Sequence, residues 1–64
     1  MEQFNFLRLR DVLKRTGLSR SSIYQLMKDG KFPKQKFLSK RCVVWVEDEV
    51  HDWMMEQLEK QHAN

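Results

Sequence analysis

The chain has 64 residues, 41% of them hydrophobic and seven of them aromatic, so it is long enough for one small folded domain and too short for two. Its single cysteine, Cys42, excludes an intramolecular disulfide and suits a reducing compartment. No segment reaches the roughly 20 apolar residues that span a bilayer, and the opening stretch MEQFNFLRLR lacks the apolar run of a signal peptide. We therefore expect one cytoplasmic domain over residues 1–64, with its core over about 6–60.

Charge is distributed unevenly along the chain, although the net charge is only +3. Residues 1–41 carry eleven Lys or Arg against three Asp or Glu, a net of +8, whereas residues 42–64 carry one Lys against six acids, a net of −5. A small domain polarised in this way usually turns its basic side to a polyanion. A solvated surface that only keeps the protein soluble explains the charge equally well.

The first half of the chain predicts two short helices joined by a tight turn. The apolar side of the first helix recurs at helical spacing: Leu9, Val12, Leu13 and Thr16. Gly17 follows and can adopt the left-handed conformation that ends a helix, with Leu18 filling the space between the two helices. Ser19 is a suitable N-cap for the second helix, accepting a hydrogen bond from the backbone N–H of Ser21 or Ser22.

The second helix is expected to bury Ile23, Leu26 and Met27 and to end at Gly30, because Pro33 forbids its continuation. Two helices separated by a turn of about three residues form a helix-turn-helix unit.

A β-hairpin is predicted after Pro33. The segments KFLS and CVVWV have the composition of strands, with a basic tip at Lys40 and Arg41. Alternation divides the second strand into two pairs and leaves open which pair is buried: Val44 with Val46, and Val43 with Trp45. The tip carries no Asn-Gly or Asp-Gly, so the pattern does not specify its turn.

A third helix is predicted to begin with the three carboxylates of the EDE segment, where the helix dipole favours them. Its core-facing stripe recurs at helical spacing: Val50, Trp53, Met54 and Leu58. The predicted fold is therefore mainly α-helical with a small β-hairpin, a winged helix-turn-helix.

The outward face of the second helix is the main candidate binding surface. If the apolar stripe is buried, the opposite face carries Ser21, Gln25 and Lys28, with Tyr24 on its flank and Arg20 at its start. Gln can bond bidentately to adenine, Lys can reach guanine or a phosphate, and Ser can contact either a base or the backbone. The plainer interpretation is an ordinary solvated helix face, since many surface helices carry such residues.

Basic side chains on the hairpin and the segment before it are the second candidate surface. Lys40 and Arg41 at the tip could lie along a DNA backbone or enter the minor groove, or they could simply keep strand edges from pairing with other chains. Generic phosphate contacts are expected for Lys31, Lys34 and Lys36. Weaker candidates lie on the first helix: Arg8, Arg10, Lys14 and Arg15.

Catalysis and metal binding are not expected. Cys42 and His51 cannot supply the four ligands of a structural zinc site, and the chain has no Gly-rich phosphate loop. The acidic residues of the third helix form one solvated run and not a pair in a cleft. We expect no enzyme activity, no cofactor and no small-molecule substrate. Single-strand RNA binding would require exposed stacking aromatics, whereas Trp45 and Trp53 have the pattern of core residues.

The string FLRLRDVLKRTGLSRSSIYQLMKDGKFPKQ…VVWVEDEVHDWM strongly resembles the AlpA family of prophage regulatory proteins. The resemblance covers about residues 6–58, and its most specific parts are TGLSRSSIY, DGKFPK and VVWVEDEVHDW. It implies a winged helix-turn-helix akin to phage excisionases and to the DNA-binding head of MerR-type regulators. The tip SKRC departs from the family in carrying a cysteine and lacking the glycine often found there.

The resemblance implies a bacterial protein that binds double-stranded DNA of an integrated element and is nucleoid-associated when bound. Family members act as transcriptional regulators or as excisionases, which direct recombination with an integrase, so an integrase and neighbouring copies of the chain are implied partners. The family's recognition helix maps onto Arg20, Ser21, Ser22, Tyr24, Gln25 and Lys28, and its wing onto Lys40 and Arg41. The alternative is a protein-interaction module that inhibits a regulator or recombinase through the acidic third helix.

Overall fold

A computed structural model describes residues 5–62, so the ends of the expected domain, residues 1–4 and 63–64, lie outside the described residues. Over the described part, three helices and one antiparallel sheet follow one another along the chain: β1 (Phe6–Leu7), α1 (Leu9–Thr16), α2 (Arg20–Lys28), β2 (Lys36–Ser39), β3 (Cys42–Val46) and α3 (Glu47–His62). The predicted winged helix-turn-helix is confirmed. The strand β1 was not predicted.

The turn between α1 and α2 is held by hydrogen bonds from both main-chain and side-chain groups. Gly17 has φ +73° and donates its N–H to the Leu13 carbonyl at 2.8 Å. The Thr16 hydroxyl donates to the Val12 carbonyl at 2.9 Å and accepts from the Leu18 N–H at 3.2 Å. Because these bonds satisfy groups that a helix end leaves unpaired, the direction in which α2 begins is well defined.

Both ends of α2 are capped as the sequence predicts. Ser19 Oγ accepts from the backbone N–H of Ser22 at 3.2 Å. At the other end Gly30 has φ +71° and donates to the Met27 carbonyl at 3.1 Å, while the Lys31 N–H donates to the Leu26 carbonyl at 2.8 Å. This pair of bonds is the Schellman arrangement, and it redirects the chain away from the helix axis towards the sheet.

The sheet has β3 at its centre, with β1 and β2 paired to its two edges. Trp45 lies opposite Leu7 on one face, and Val44 lies opposite Lys36 on the other. Val44 and Trp45 are nevertheless 2% and 0% exposed, so both faces of the central strand are covered. Alternation could not identify one buried pair because each pair contributes one buried residue.

The core lies where α1, α2, β3 and α3 meet. Its buried side chains come from five elements and the loop after α2: Leu7, Val12, Ile23, Phe32, Trp45 and Val50. The predicted positions Leu26, Met27, Trp53 and Met54 are half-buried and pack around them. Leu58 does not pack against the core, because it is 51% exposed. Its assignment to the core was therefore wrong. The helical spacing of α3 continues beyond the stretch that the rest of the fold covers.

The hairpin turn consists of Lys40 and Arg41, since Ser39 pairs with Cys42. Two-residue hairpin turns usually need positive φ angles, yet the described residues other than glycine have none. The register instead shifts by one residue between Phe37 and Ser39. A bulge of this kind bends and twists the strand, which lets Lys and Arg occupy the tip without left-handed strain.

Candidate nucleic-acid interface

The outward face of α2 carries the polar residues predicted for it. Ser21, Tyr24, Gln25 and Lys28 are exposed, whereas Ile23 is completely buried on the opposite side. The burial of Ile23, together with the two capped ends, fixes how the helix is rotated about its axis. The exposed residues therefore form one continuous polar strip along α2.

A basic groove lies beside this strip and is formed by three separate elements. Its volume is about 590 Å³, and the arginines among its described lining residues come from the start of α1, the start of α2 and the hairpin tip: Arg8, Arg10, Arg20 and Arg41. Tyr24 also lines the groove, and Trp45 contributes to it. The structure thus brings together Arg20, Tyr24 and Arg41, which the sequence proposed from two different segments.

One carboxylate among the described lining residues of the groove is already committed to a local contact. Asp11 accepts a hydrogen bond from the backbone N–H of Arg8 at 3.2 Å, as expected for an acid in the first turn of a helix. The Arg8 guanidinium in turn reaches Cys42 Sγ at 3.7 Å, which places it beside the tip of the hairpin. The groove therefore keeps a strong excess of positive charge close to α2.

Arg8 and Arg10 also line this groove. The sequence placed them with Lys14 and Arg15 as weak candidates, but the structure separates the two pairs. Arg15 Nη2 forms an ion pair with Glu47 Oε2 at 2.9 Å, and neither it nor Lys14 lines the groove. The sequence places Arg8 and Arg10 at the start of α1, but only the tertiary structure brings this end of the helix beside the hairpin tip.

The lysines that follow α2 belong to a different surface. Lys31, Lys34 and Lys36 line a second groove of about 870 Å³, which faces the carboxylates of α3: Glu49, Asp52 and Glu56. Opposed charges of this kind reduce the potential that the lysines present to an outside anion. Lys40 is exposed in the hairpin turn and is not among the lining residues of either groove.

Both tryptophans anchor the segment that carries Lys31 and Lys34 and leads into β2. Trp45 Nε1 donates to the Pro33 carbonyl at 3.1 Å, and Trp53 Nε1 donates to the Lys31 carbonyl at 2.6 Å. Phe32 is buried between these contacts and meets the Trp53 ring edge to face, with centroids 4.8 Å apart. The segment between α2 and β2 is thus tied to the core at three successive residues.

Two polar side chains of α2 already have partners within the protein. Ser22 is half-buried, and its Oγ accepts from Ser19 Oγ at 3.0 Å, so its hydroxyl belongs to the N-terminal cap. Gln25 Nε2 donates to both carboxylate oxygens of Asp29, at 3.2 and 3.3 Å. Of the residues mapped onto a recognition helix, Ser22 is therefore the least available to an outside ligand.

Metal ligands and membrane spans are both missing from the part of the chain that the structure describes. Between residues 5 and 62, no group of three His, Cys, Asp or Glu side chains is placed to hold a metal ion. No helix in the same range is long and apolar enough to cross a membrane.

Comparison with known proteins gives consistent matches over most of the chain. The family model described as prophage CP4-57 regulatory protein (AlpA) matches residues 5–58. An uncharacterized protein, ORF88 of Enterobacteria phage P4, is 46% identical over 52 residues, which are 81% of this chain and only 59% of that protein. The DNA-binding transcriptional activator AlpA of Escherichia coli strain K12 is 33% identical over 57 residues, covering 80% of this chain and 81% of that protein. No solved structure matches.

Proposed function

The chain belongs to the AlpA family of prophage regulatory proteins, and on that premise we propose that it binds double-stranded DNA sequence-specifically and regulates transcription from a prophage or other integrated element. The observation that carries the proposal is the groove in which Arg8, Arg10, Arg20 and Arg41 meet beside the polar strip of α2. One surface thus combines side chains suited to phosphates with side chains suited to base edges.

The proposed complex places α2 in the major groove, which is about 12 Å wide and admits one helix. Ser21, Gln25 and Lys28 then face base edges. The arginine groove lies between α2 and the hairpin, where a phosphate backbone leaving the major groove would pass. Guanidinium groups bind phosphate oxygens with bidentate geometry, and Tyr24 adds a hydroxyl donor. Lys40 at the hairpin tip would continue along the backbone or enter the minor groove.

The lysines of the second groove have a smaller role in this proposal. Lys31, Lys34 and Lys36 face carboxylates of α3, so we expect them to contribute less to affinity than the arginines. Lys31 and Lys34 lie on the segment anchored by the two tryptophans, and Lys36 follows it at the start of β2, which would keep them at a constant distance from the DNA. Their contribution should be a general, sequence-independent attraction.

Salt dependence of binding to a labelled duplex tests the proposal. Removing one phosphate-binding side chain should flatten the slope of log K against log salt by about one unit, so we expect that change for Arg20→Ala and for Arg41→Ala. Lys14→Ala is the matched control, because it removes the same charge from an exposed position outside the groove. If Lys14→Ala weakens binding as much as the two arginine variants, the groove is not the phosphate site.

We further propose that the protein can act as an excisionase, a recombination directionality factor that works with an integrase and with neighbouring copies of itself. Such a factor carries out no chemistry, since its task is to bend DNA for a different recombination complex. Bending a short site costs on the order of 1–6 kcal/mol, which several small protomers could share. The −5 charge of the C-terminal segment complements the +8 of the rest of the chain and supports contacts between neighbours.

Sequencing of sheared host genomic DNA captured by the purified protein separates the two roles. Tandem sites beside the end of an integrated element would support the excisionase role, and a site confined to a promoter would support transcriptional regulation alone. Cooperative binding to tandem sites should fall when Glu56 and Glu59 are replaced by Gln. Unchanged cooperativity in that variant would count against contacts between neighbours through α3.

A second candidate function is inhibition of a regulator or recombinase through α3. Its exposed side carries two apolar residues among the acids, Met55 and Leu58, at 45% and 51% exposure. Apolar residues with a charged surround are usual at protein interfaces. The double variant Gln25→Ala/Lys28→Ala distinguishes the two functions, since it should abolish DNA binding and leave inhibition intact.

A further inference from the structure

Asp29 occupies an unusual position for an acid in a protein that would approach DNA. It is the C-cap residue of α2, where the negative end of the helix dipole disfavours a carboxylate, and it is exposed one helical turn after Gln25. Its carboxylate accepts from Gln25 Nε2 through both oxygens, at 3.2 and 3.3 Å. The contact with Gln25 is therefore the feature of Asp29 that calls for a functional explanation.

The chemistry of this contact allows only one orientation of the Gln25 amide. An ionised carboxylate accepts hydrogen bonds and donates none, so the NH₂ group of Gln25 must face Asp29. Rotating the amide by half a turn would set Oε1 against the carboxylate oxygens, and two acceptors repel each other. The two oxygens belong to one carboxylate, at 3.2 and 3.3 Å from Nε2, so a single N–H is shared between them. Oε1 and the second hydrogen of the NH₂ group are thereby left to meet another molecule.

We propose that Asp29 determines the base preference of Gln25 by locking its amide in this orientation. The inference rests on the proposed function, because it needs α2 in the major groove. A locked amide can accept from the exocyclic amine of adenine with Oε1 and donate to N7 with its second hydrogen. Guanine presents O6 in place of the amine, so Oε1 would face another acceptor.

An unlocked amide would lose this discrimination. With its NH₂ group turned to the base, glutamine can donate to the O6 and N7 acceptors of guanine, so a freely rotating Gln25 suits either purine. Asp29→Asn creates that condition, because an asparagine amide can offer Gln25 either a donor or an acceptor. Asparagine is also well tolerated at helix ends, so the substitution removes the lock while leaving the helix end in place.

The test selects bound duplexes from a library with a randomised site and sequences them for each variant. Gln25→Ala identifies the base pair that Gln25 reads, as the one whose preference disappears. At that pair we expect the native protein to favour adenine over guanine by roughly tenfold, within the range for a bidentate contact. In Asp29→Asn the ratio of adenine to guanine should fall to within about twofold, because a freely rotating amide can bind either purine.

A matched control separates the lock from a simple change of charge, and a swapped pair tests whether position 25 contacts the base. Asp48→Asn removes one carboxylate from an exposed position in the first turn of α3, and it should leave the adenine preference unchanged. In Gln25→Glu/Asp29→Asn the carboxylate at position 25 can only accept hydrogen bonds, in whatever way residue 29 orients it. Guanine should then be rejected again, with cytosine or adenine preferred through their amines.

The outcomes are distinct. If Asp29→Asn keeps the native ratio of adenine to guanine, or if Gln25→Ala changes the preference at no base pair, the lock is refuted. If the native protein selects no duplex at all, the proposed function fails first. Loss of the adenine preference in Asp29→Asn, together with an unchanged ratio in Asp48→Asn, would establish Asp29 as a positioning residue for specificity.

Discussion

Replacing Gly17 by alanine should destabilise the protein by about 1 kcal/mol, through the backbone alone. Gly17 has φ +73°, and a Cβ built on it meets nothing within 4 Å. The substitution therefore adds no clash, and its cost is that of a left-handed L-residue, about 1–2 kcal/mol. Alanine also restricts the unfolded chain, which offsets about 0.4–1 kcal/mol of that cost.

Gly30 offers an internal comparison for this value. It has φ +71° and the same open surroundings, so Gly30→Ala should cost about as much as Gly17→Ala for the same reason. Gly17→Asn should cost less than either alanine variant, because asparagine visits the left-handed region more readily. The expected order of stability is thus native, then Gly17→Asn, then the two alanine variants together.

Urea and thermal unfolding followed by far-UV circular dichroism would measure these differences. A loss of about 1 kcal/mol is large for a chain of this size, whose total stability should be about 3–10 kcal/mol, and it should lower Tm by about 4–8 °C. A loss above about 3 kcal/mol exceeds any backbone penalty of this kind and would mean that the side chain does meet an obstacle. No loss at all would mean that the turn leaves the left-handed region, and the reasoning would fail.

Three further substitutions test the packing, the anchored segment and the surface ion pair. Ile23→Ala removes a completely buried side chain and should cost about 2–5 kcal/mol in urea unfolding, so a loss under about 1 kcal/mol would contradict its place in the core. Trp53→Phe removes the donor to the Lys31 carbonyl but keeps an aromatic ring against Phe32, so it should cost about 1 kcal/mol and speed amide hydrogen exchange in the segment after α2. Equal acceleration of exchange throughout the chain would argue against a local anchor. Arg15→Ala removes a partly exposed ion pair with Glu47, and a double-mutant cycle should give a coupling energy below about 1 kcal/mol. A coupling energy that did not fall with added salt would contradict a solvent-screened pair.

The tertiary structure changed the candidate site more than it changed the fold. The sequence grouped Arg41 with the lysines after α2 in one candidate surface, but the structure places them in two grooves. Arg8 and Arg10 join Arg20 and Arg41 in the first groove, while the lysines after α2 face the acids of α3. No local pattern predicts such a division, because it depends on which elements the core brings side by side.

A different kind of signal was missed in α2. Gln25 and Asp29 are four residues apart, the spacing at which helical side chains meet, so their contact could have been inferred from the sequence. The burial of both faces of β3 and the existence of the two-residue strand β1 could not have been inferred in this way. A strand as short as β1 has no periodicity, and it is recognisable only because β3 pairs with it.

The sequence by itself determined the three helices, the hairpin and the ends of α2. These features depend on contacts within a few residues, such as the left-handed glycines, the Ser19 cap and the spacing of apolar side chains. Tertiary structure alone decided that Leu58 is exposed, that Arg15 binds Glu47, and that the start of α1 shares a groove with the hairpin tip. Each of these facts depends on how distant segments pack around Trp45 and Ile23, and packing is a property of the whole chain.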